Sequence, residues 1–258
     1  MIELRHVTAF GHCAFRGAFP KSLLPIVKQS FVVALNLLPL GRGCAPMKTS
    51  AREASPITCL FVDIGGVLLT NGWDHLARKR AAKHFNLGWA EMDERHRLNF
   101  EIHEEGKLSF DDYLTRVVFY QKRPFTRAQF RSFMCAQSRP YTEMIALVGQ
   151  LKARHALKIA VVSNESRELN AYRIREFQLD RLVDFFISSC YVHLRKPDIE
   201  IFRLALDIAQ ARVRQIVYIE NTPLFVDIAE GLGIRSILHT DYKSTCTKLA
   251  ALGMNAAS

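Results

Sequence analysis

Hydrophobic positions along the chain change character at residue 57. From there, short β-rich apolar runs occur at Ile57–Val62, Leu157–Val162, Asp184–Ser188, Ile216–Ile219 and Ile234–Leu238. Between most of them lie stretches with helical periodicity: Tyr141–Arg154, Glu165–Phe177, Ile199–Ala209 and Leu224–Leu232. Apolar runs alternating with helices of this length predict a parallel sheet covered on both faces, an α/β three-layer sandwich of Rossmann-like type. The first connection differs. Residues 71–140 hold no strand-like run and read as amphipathic helices at about 75–86, 90–104, 109–121 and 126–137. An all-helical insertion after the first strand stands over the strand ends, where open α/β sheets bind ligands, and reads as a lid. The predicted organisation is a core of residues 57–70 and 141–258 with a helical cap at 71–140.

Residues 1–56 lack this regularity. They hold seven Lys/Arg against two Glu, and the stretch from Met47 to Pro56 reads as linker. The apolar patch Leu23–Leu40 is interrupted by Pro25, Lys28, Gln29, Asn36 and Pro39, so it fits neither a bilayer span nor a secretory signal. We expect a poorly ordered extension outside the fold, with Met47 as an alternative start.

Composition narrows the function classes. Hydrophobic residues make up 49% and charged residues 23% of 258, enough apolar material for a core and too much for a disordered chain. The formal net charge is +10, but half of it sits in residues 1–56. The body is only mildly basic with interspersed signs, which argues against a nucleic-acid footprint. Cys13, Cys44, Cys59, Cys135, Cys190 and Cys246 are scattered with no CxxC spacing. Neither a disulfide framework nor structural zinc is expected, and free thiols suit a reducing, cytoplasmic compartment. No stable membrane insertion is expected; the chain should act as a monomer or homodimer.

The chemistry-bearing residues fall at strand ends. The first strand runs into Asp63-Ile64-Gly65-Gly66-Val67-Leu68, which places a carboxylate at the end of a buried strand and glycines where backbone can approach an anion. The second ends Val162-Ser163-Asn164. His193-Leu194-Arg195-Lys196-Pro197-Asp198 precedes a helix, and the fourth strand ends Ile219-Glu220-Asn221. A nucleophilic carboxylate, a hydroxyl, a lysine and a second acid thus follow one another along one sheet.

This set of motifs resembles the haloacid dehalogenase superfamily, covering residues 57 to about 240, and looks most like a bacterial, helical-cap branch near sugar phosphatases. The resemblance implies a Mg²⁺-dependent phosphatase acting on a small phosphorylated metabolite, a sugar phosphate being favoured, through an aspartyl-phosphate. It implies Asp63 as nucleophile, with Ser163 and Lys196 holding the phosphoryl oxygens. Gly65, Gly66, Asn164 and Arg195 would contact substrate. Asp63, the Gly65 carbonyl, Glu220 and Asn221 would serve the metal.

Two positions depart from the family pattern. Gly65 stands where most family phosphatases carry an acid/base Asp, whose help is worth ~10²–10⁴-fold. Three explanations compete: another group substitutes (Glu220, His75 or an ordered water), the substrate has an easy leaving group, or catalysis has been retired. Glu220-Asn221 replaces an Asp pair, which implies weaker metal binding. The alternatives are a phosphate-sensing binding module and, less favoured, a dehalogenase. Among secondary candidates, Trp73, His75 and Arg78 read as cap surface or packing, His96 as part of an exposed helix face, His103 as a cap residue with no partner fixed by sequence, and Phe125, Phe130 and Phe133 as cap core.

Overall fold

The computed structural model describes residues 56–256; the expectations for residues 1–55 lie outside them. Strand β1 (Cys59–Val62) leads into five helices: α1 (His75–His84), α2 (Trp89–Arg97), α3 (Phe100–Glu104), α4 (Phe110–Val117) and α5 (Arg127–Cys135). The chain continues through α6 (Thr142–His155), β2 (Lys158–Ser163), α7 (Arg167–Glu176), β3 (Phe185–Ser188) and the short α8 (Ser189–Val192). It ends with α9 (Ile199–Ala209), β4 (Ile216–Glu220), α10 (Pro223–Gly231), β5 (Arg235–Leu238) and α11 (Tyr242–Ala251). The α8 and α11 helices are the two with no counterpart in the periodicity.

All strands are parallel in the order β3-β2-β1-β4-β5. The order reverses beside β1, so the crevice at a topological switch point opens over the end of that strand. Register aligns Val62 with Val161 on one side and Ile219 on the other, bringing the ends of β1, β2 and β4 to one height. Successive strand residues face opposite ways. Leu60, Val62, Ile159, Val161, Val217 and Ile219 pack with Leu147 and Leu151, while Phe61, Ala160, Val162 and Tyr218 pack with Ile201 and Phe202. Both faces are therefore buried, which is why the strands read as continuous apolar runs.

The inserted helices carry a core of their own, built from Ala81, Met92, Tyr113, Leu114, Phe130 and Met134, with Phe125 and Phe133 packed against it. Their N-caps are legible locally: Asp74 accepts from Ala77 N, Ser109 from Asp112 N, and Thr126 forms a capping box with Gln129. The helix expected at 90–104 is two helices. Asn99 Nδ2 donates to Arg95 O, a side-chain bond that competes with helical backbone, and the chain breaks there.

Two attachments hold the insertion over the sheet. At the neck its entering and leaving strands run side by side, with Thr70 N donating to Arg139 O and Tyr141 N to Leu68 O. At the far end, Ser189 Oγ donates to Glu104 O and His193 Nδ1 to Glu105 O. Gly106 makes that second approach possible, because its φ is +69° and a Cβ there would stand 2.2 Å from Cys190 O.

Candidate active site

Asp63 follows β1 directly and is nearly buried. Its Oδ1 lies 3.1 Å from Lys196 Nζ, yet no donor is aligned for a hydrogen bond to that oxygen. Burial, with the neighbouring Glu220 charge adding to it, pushes the Asp63 carboxyl up to about 6, against the pull of Lys196 and the Ser163 hydroxyl. Lys196 is 1% exposed. Burial alone would lower its pKa, but Asp63 and Glu220 outweigh it and hold the ammonium charged.

Asn164, expected on the substrate, instead grips Lys196. Its Oδ1 accepts from Lys196 N and its Nδ2 donates to Lys196 O, both at 2.8 Å. Both ends of the amide are engaged, so Asn164 positions the lysine.

Glu220, expected on the metal, is engaged by protein donors on both oxygens. Oε2 accepts from Lys196 Nζ at 2.6 Å and from Tyr218 OH, and Oε1 accepts from Asn221 N and Thr222 N at 2.9 Å. Glu220 is a brace for Lys196.

Asn221 stands closer to the expected metal position. One end of its amide lies 3.0 Å from both Glu220 Oε1 and Gly65 O. Both neighbours are acceptors, so the amide nitrogen belongs at that end and donates to both. Gly66 serves this approach rather than the substrate. Its φ is +81°, a Cβ would sit 2.2 Å from the other end of the Asn221 amide, and its N–H is already given to Leu69 O.

Arg195 is also corrected. It lines the cavity over Asp63, but its guanidinium donates to Glu104 Oε2 at 2.9 Å and reaches Glu101, and it lies over the Phe100 ring. It ties the loop before α9 to the inserted helices. Ser163 is buried at the end of β2 and does not line the cavity.

The cavity has a volume of about 560 Å³, in the range of small-molecule sites. Its floor is Asp63, Gly65, Lys196 and Asn221, and its roof includes Trp73, Arg78, His96, Phe100 and His103. A neighbouring cavity of about 780 Å³ shares Asn71 and Asn221 but touches neither Asp63 nor Lys196. His75 is exposed and packs edge-on to Trp89.

Sequence reasoning missed three cavity residues. Glu165 is 3% exposed and ion-paired with the equally buried Arg173. Burial pushes its carboxyl up to about 7 despite that arginine. A Cβ at residue 65 would stand 4.0 Å from Arg173 Nη1, the atom paired with Glu165. His96, read as exposed, and His103, read as a cap residue with no partner fixed by sequence, are 9% and 4% exposed. Helical periodicity carried no signal for the pair, because the break at Asn99 puts them on two different helices.

Comparisons with known proteins follow this geometry. No curated protein sequence matches the chain. Among solved structures, a HAD family enzyme, BT-2542 of Bacteroides thetaiotaomicron, in complex with magnesium and inorganic phosphate, is similar with TM-score 0.61 and 19% identity, covering 70% of this chain and 93% of that one. A predicted HAD-like family hydrolase from Porphyromonas gingivalis gives 0.60 and 20%, covering 75% and 98%. The L-2-haloacid dehalogenase of Xanthobacter autotrophicus gives 0.51 and 14%, covering 76% and 83%. At these identities the likeness shows the fold. A family model for haloacid dehalogenase-like hydrolases matches residues 57–228, which spans β1 to α10 and every strand-end residue described above. The chain belongs to the haloacid dehalogenase-like hydrolases.

Proposed function

We propose that the protein is a Mg²⁺-dependent phosphatase of small phosphorylated molecules, with sugar phosphates as the favoured class, working through an aspartyl-phosphate. The observation that carries this is Asp63, a buried carboxylate at the end of β1 under the cavity, with Oδ1 3.1 Å from the charged Lys196 ammonium.

The donor set fits Mg²⁺. Asp63 and the Gly65 carbonyl are hard oxygen donors, and Mg²⁺ is commonly held by one or two carboxylates plus waters and substrate phosphate. Among the described residues no cluster of three or more His, Cys, Asp or Glu could hold a metal, so the ion would rely on carbonyls and phosphate as well as Asp63. When bound, it would neutralise phosphoryl charge and so let an anionic nucleophile approach an anionic substrate.

The residues of the chain do the rest. Asp63 attacks phosphorus while the bond to the leaving oxygen breaks, and Lys196 stabilises the charge on the transferring group. We assign to Glu165, a buried carboxyl of the cavity lining, the exchange of a proton with the leaving oxygen that the position at Gly65 leaves open, which requires it to part from Arg173. Its carboxylate then accepts a proton from the water that attacks phosphorus, which releases phosphate and restores Asp63. A pKa near 7 suits a group that must work in both directions. The neutral Asn221 weakens the metal site relative to a pair of acids.

The test is phosphate release from a panel of sugar and nucleotide phosphates, with and without Mg²⁺, for wild type and Asp63→Asn. Metal-dependent release that disappears in the variant is expected. No release from folded, Mg²⁺-supplied protein would refute the proposal and favour a phosphate-binding module.

A further inference from the structure

Arg173 lies inside the protein, between the neck of the insertion and the catalytic cavity. It projects from α7 with 1% exposure and gives each guanidinium nitrogen a different acceptor. Nη1 donates to Glu165, Nε to Ser138 Oγ at 3.0 Å and Nη2 to Thr70 O at 3.1 Å. Thr70 and Ser138 sit on opposite sides of the neck. Thr70 Oγ1 closes that neck, donating to Gln137 O at 2.7 Å and accepting from Arg139 N at 3.0 Å. Two nitrogens of one planar fork thus hold the neck, and the third holds a carboxyl of the cavity lining.

The chain makes room for this fork. Gly72 has φ +73°, and a Cβ there would stand 1.8 Å from Arg173 Nη2. The Cβ position of residue 65, where the family pattern has its acid/base Asp, is 4.0 Å from Nη1. Nη1 thus places Glu165 beside the position from which that Asp is missing. The charges around Glu165 make the guanidinium decisive. Burial favours the neutral acid, Arg173 opposes it, and the Asp63 and Glu104 charges add to burial. With Arg173 close, Glu165 is held as a carboxylate; with Arg173 withdrawn, it takes a proton.

From this geometry we infer that Arg173 is a positioning residue that ties Glu165 to the neck, so that Glu165 exchanges its proton with the leaving oxygen only as the neck draws the guanidinium aside. Thr70 O and Ser138 Oγ move with the inserted helices, whereas Glu165 belongs to the loop after β2. A swing of those helices about the neck pulls Arg173 off Glu165, and their return restores the pair. The inference rests on the role proposed for Glu165 and deepens it by naming what controls that residue.

The test uses Ser138→Ala, Arg173→Lys and Arg173→Met, which leave Asp63, Lys196 and Glu165 in place. Ser138 lies outside the cavity lining, so its truncation frees the guanidinium from the neck and leaves it on Glu165. On an alkyl phosphate kcat should fall about tenfold or more, while 4-nitrophenyl phosphate, whose leaving group needs little protonation, should change less than about twofold. Arg173→Lys keeps the cation but not the fork, and should behave in the same way. Arg173→Met removes the cation. The alkaline limb of kcat/KM on the alkyl phosphate, at about pH 7 in wild type, should then move up by about 1–3 pH units. A Ser138→Ala variant that slows both substrates equally or neither, or a limb unmoved in Arg173→Met, would overturn the inference. Melting curves check folding; if Arg173→Met does not fold, Ser138→Ala and Arg173→Lys decide. Failure of the phosphatase proposal looks different, because no substrate then releases phosphate. The Glu165 carboxyl is in that case titrated directly by ¹³C NMR of protein labelled in its glutamate side chains, with Glu165→Gln assigning the signal. A midpoint that rises in Arg173→Met and falls in Ser138→Ala keeps the link to the neck; any other pattern removes it.

Discussion

Asn164 holds Lys196 by both edges of its backbone, accepting from N and donating to O at 2.8 Å each. The lysine side chain then spans from Glu220 Oε2 at 2.6 Å to Asp63 Oδ1 at 3.1 Å. A side chain of high rotamer entropy is thereby pinned at both ends, which pre-organises its charge over the nucleophile.

Truncating that clamp should cost both stability and rate. Asn164→Ala removes two hydrogen bonds and leaves partly buried backbone groups unpaired, worth about 1–3 kcal/mol in urea denaturation. Phosphatase kcat should fall about tenfold or more through a mobile Lys196, with a smaller change in KM. An unchanged kcat would show that Lys196 needs no clamp.

The Lys196–Glu220 pair predicts a separation of stability from activity. Lys196→Met leaves Glu220 buried without its cation, a loss of about 3–5 kcal/mol. Adding Glu220→Leu should recover much of that stability by removing the stranded charge, while activity stays absent. Equilibrium unfolding of the single and double variants measures both halves.

Glu165→Gln should expose the leaving-group role. On an alkyl phosphate kcat/KM should fall ~10²–10⁴-fold, and on 4-nitrophenyl phosphate, whose leaving group needs little protonation, much less. With its pKa raised to about 7, Glu165 is the acid below that pH and loses the proton above it. Wild-type kcat/KM on the alkyl phosphate should therefore decline as pH rises through about 7, and the variant should lack that limb.

His96 predicts an acid-side loss of stability. Its pKa is about 6.5 unfolded and held at about 3 by burial. At pH 7 it is neutral in both states and contributes nothing. As pH falls below about 6.5 the unfolded chain binds a proton that the native ring refuses, so stability drops by about 2 kcal/mol at pH 5. The difference in unfolding free energy between wild type and His96→Phe, followed from pH 7 to 5, should shrink by that amount; a pH-independent difference would place a charged His96 in the fold.

Much of this protein was legible in one dimension. The strands were predicted to within two residues at each end, because a strand buried on both faces must be apolar throughout. Asp63, Ser163 and Glu220 were placed at strand ends by the same pattern, since a parallel sheet brings those ends to one height, while Lys196 reaches them from the loop between α8 and α9. The caps of the inserted helices were equally local.

What the sequence by itself determined is therefore the architecture and the residue types at the crevice. Only the tertiary structure decided what those residues do for one another. Periodicity reports whether a side chain is buried, and a buried polar group takes whichever partner the fold carries to it. Arg195 finds Glu104 91 residues away, Arg173 finds Ser138 35 away, and His96 finds Tyr113 17 away. Nothing in the sequence gives the four donors around Glu220, and His103 has no partner fixed by sequence until Tyr113 stacks on its ring. The physical reason is that hydrogen-bond valence is short-ranged and satisfied in three dimensions, whereas hydrophobic burial leaves its period in the chain itself.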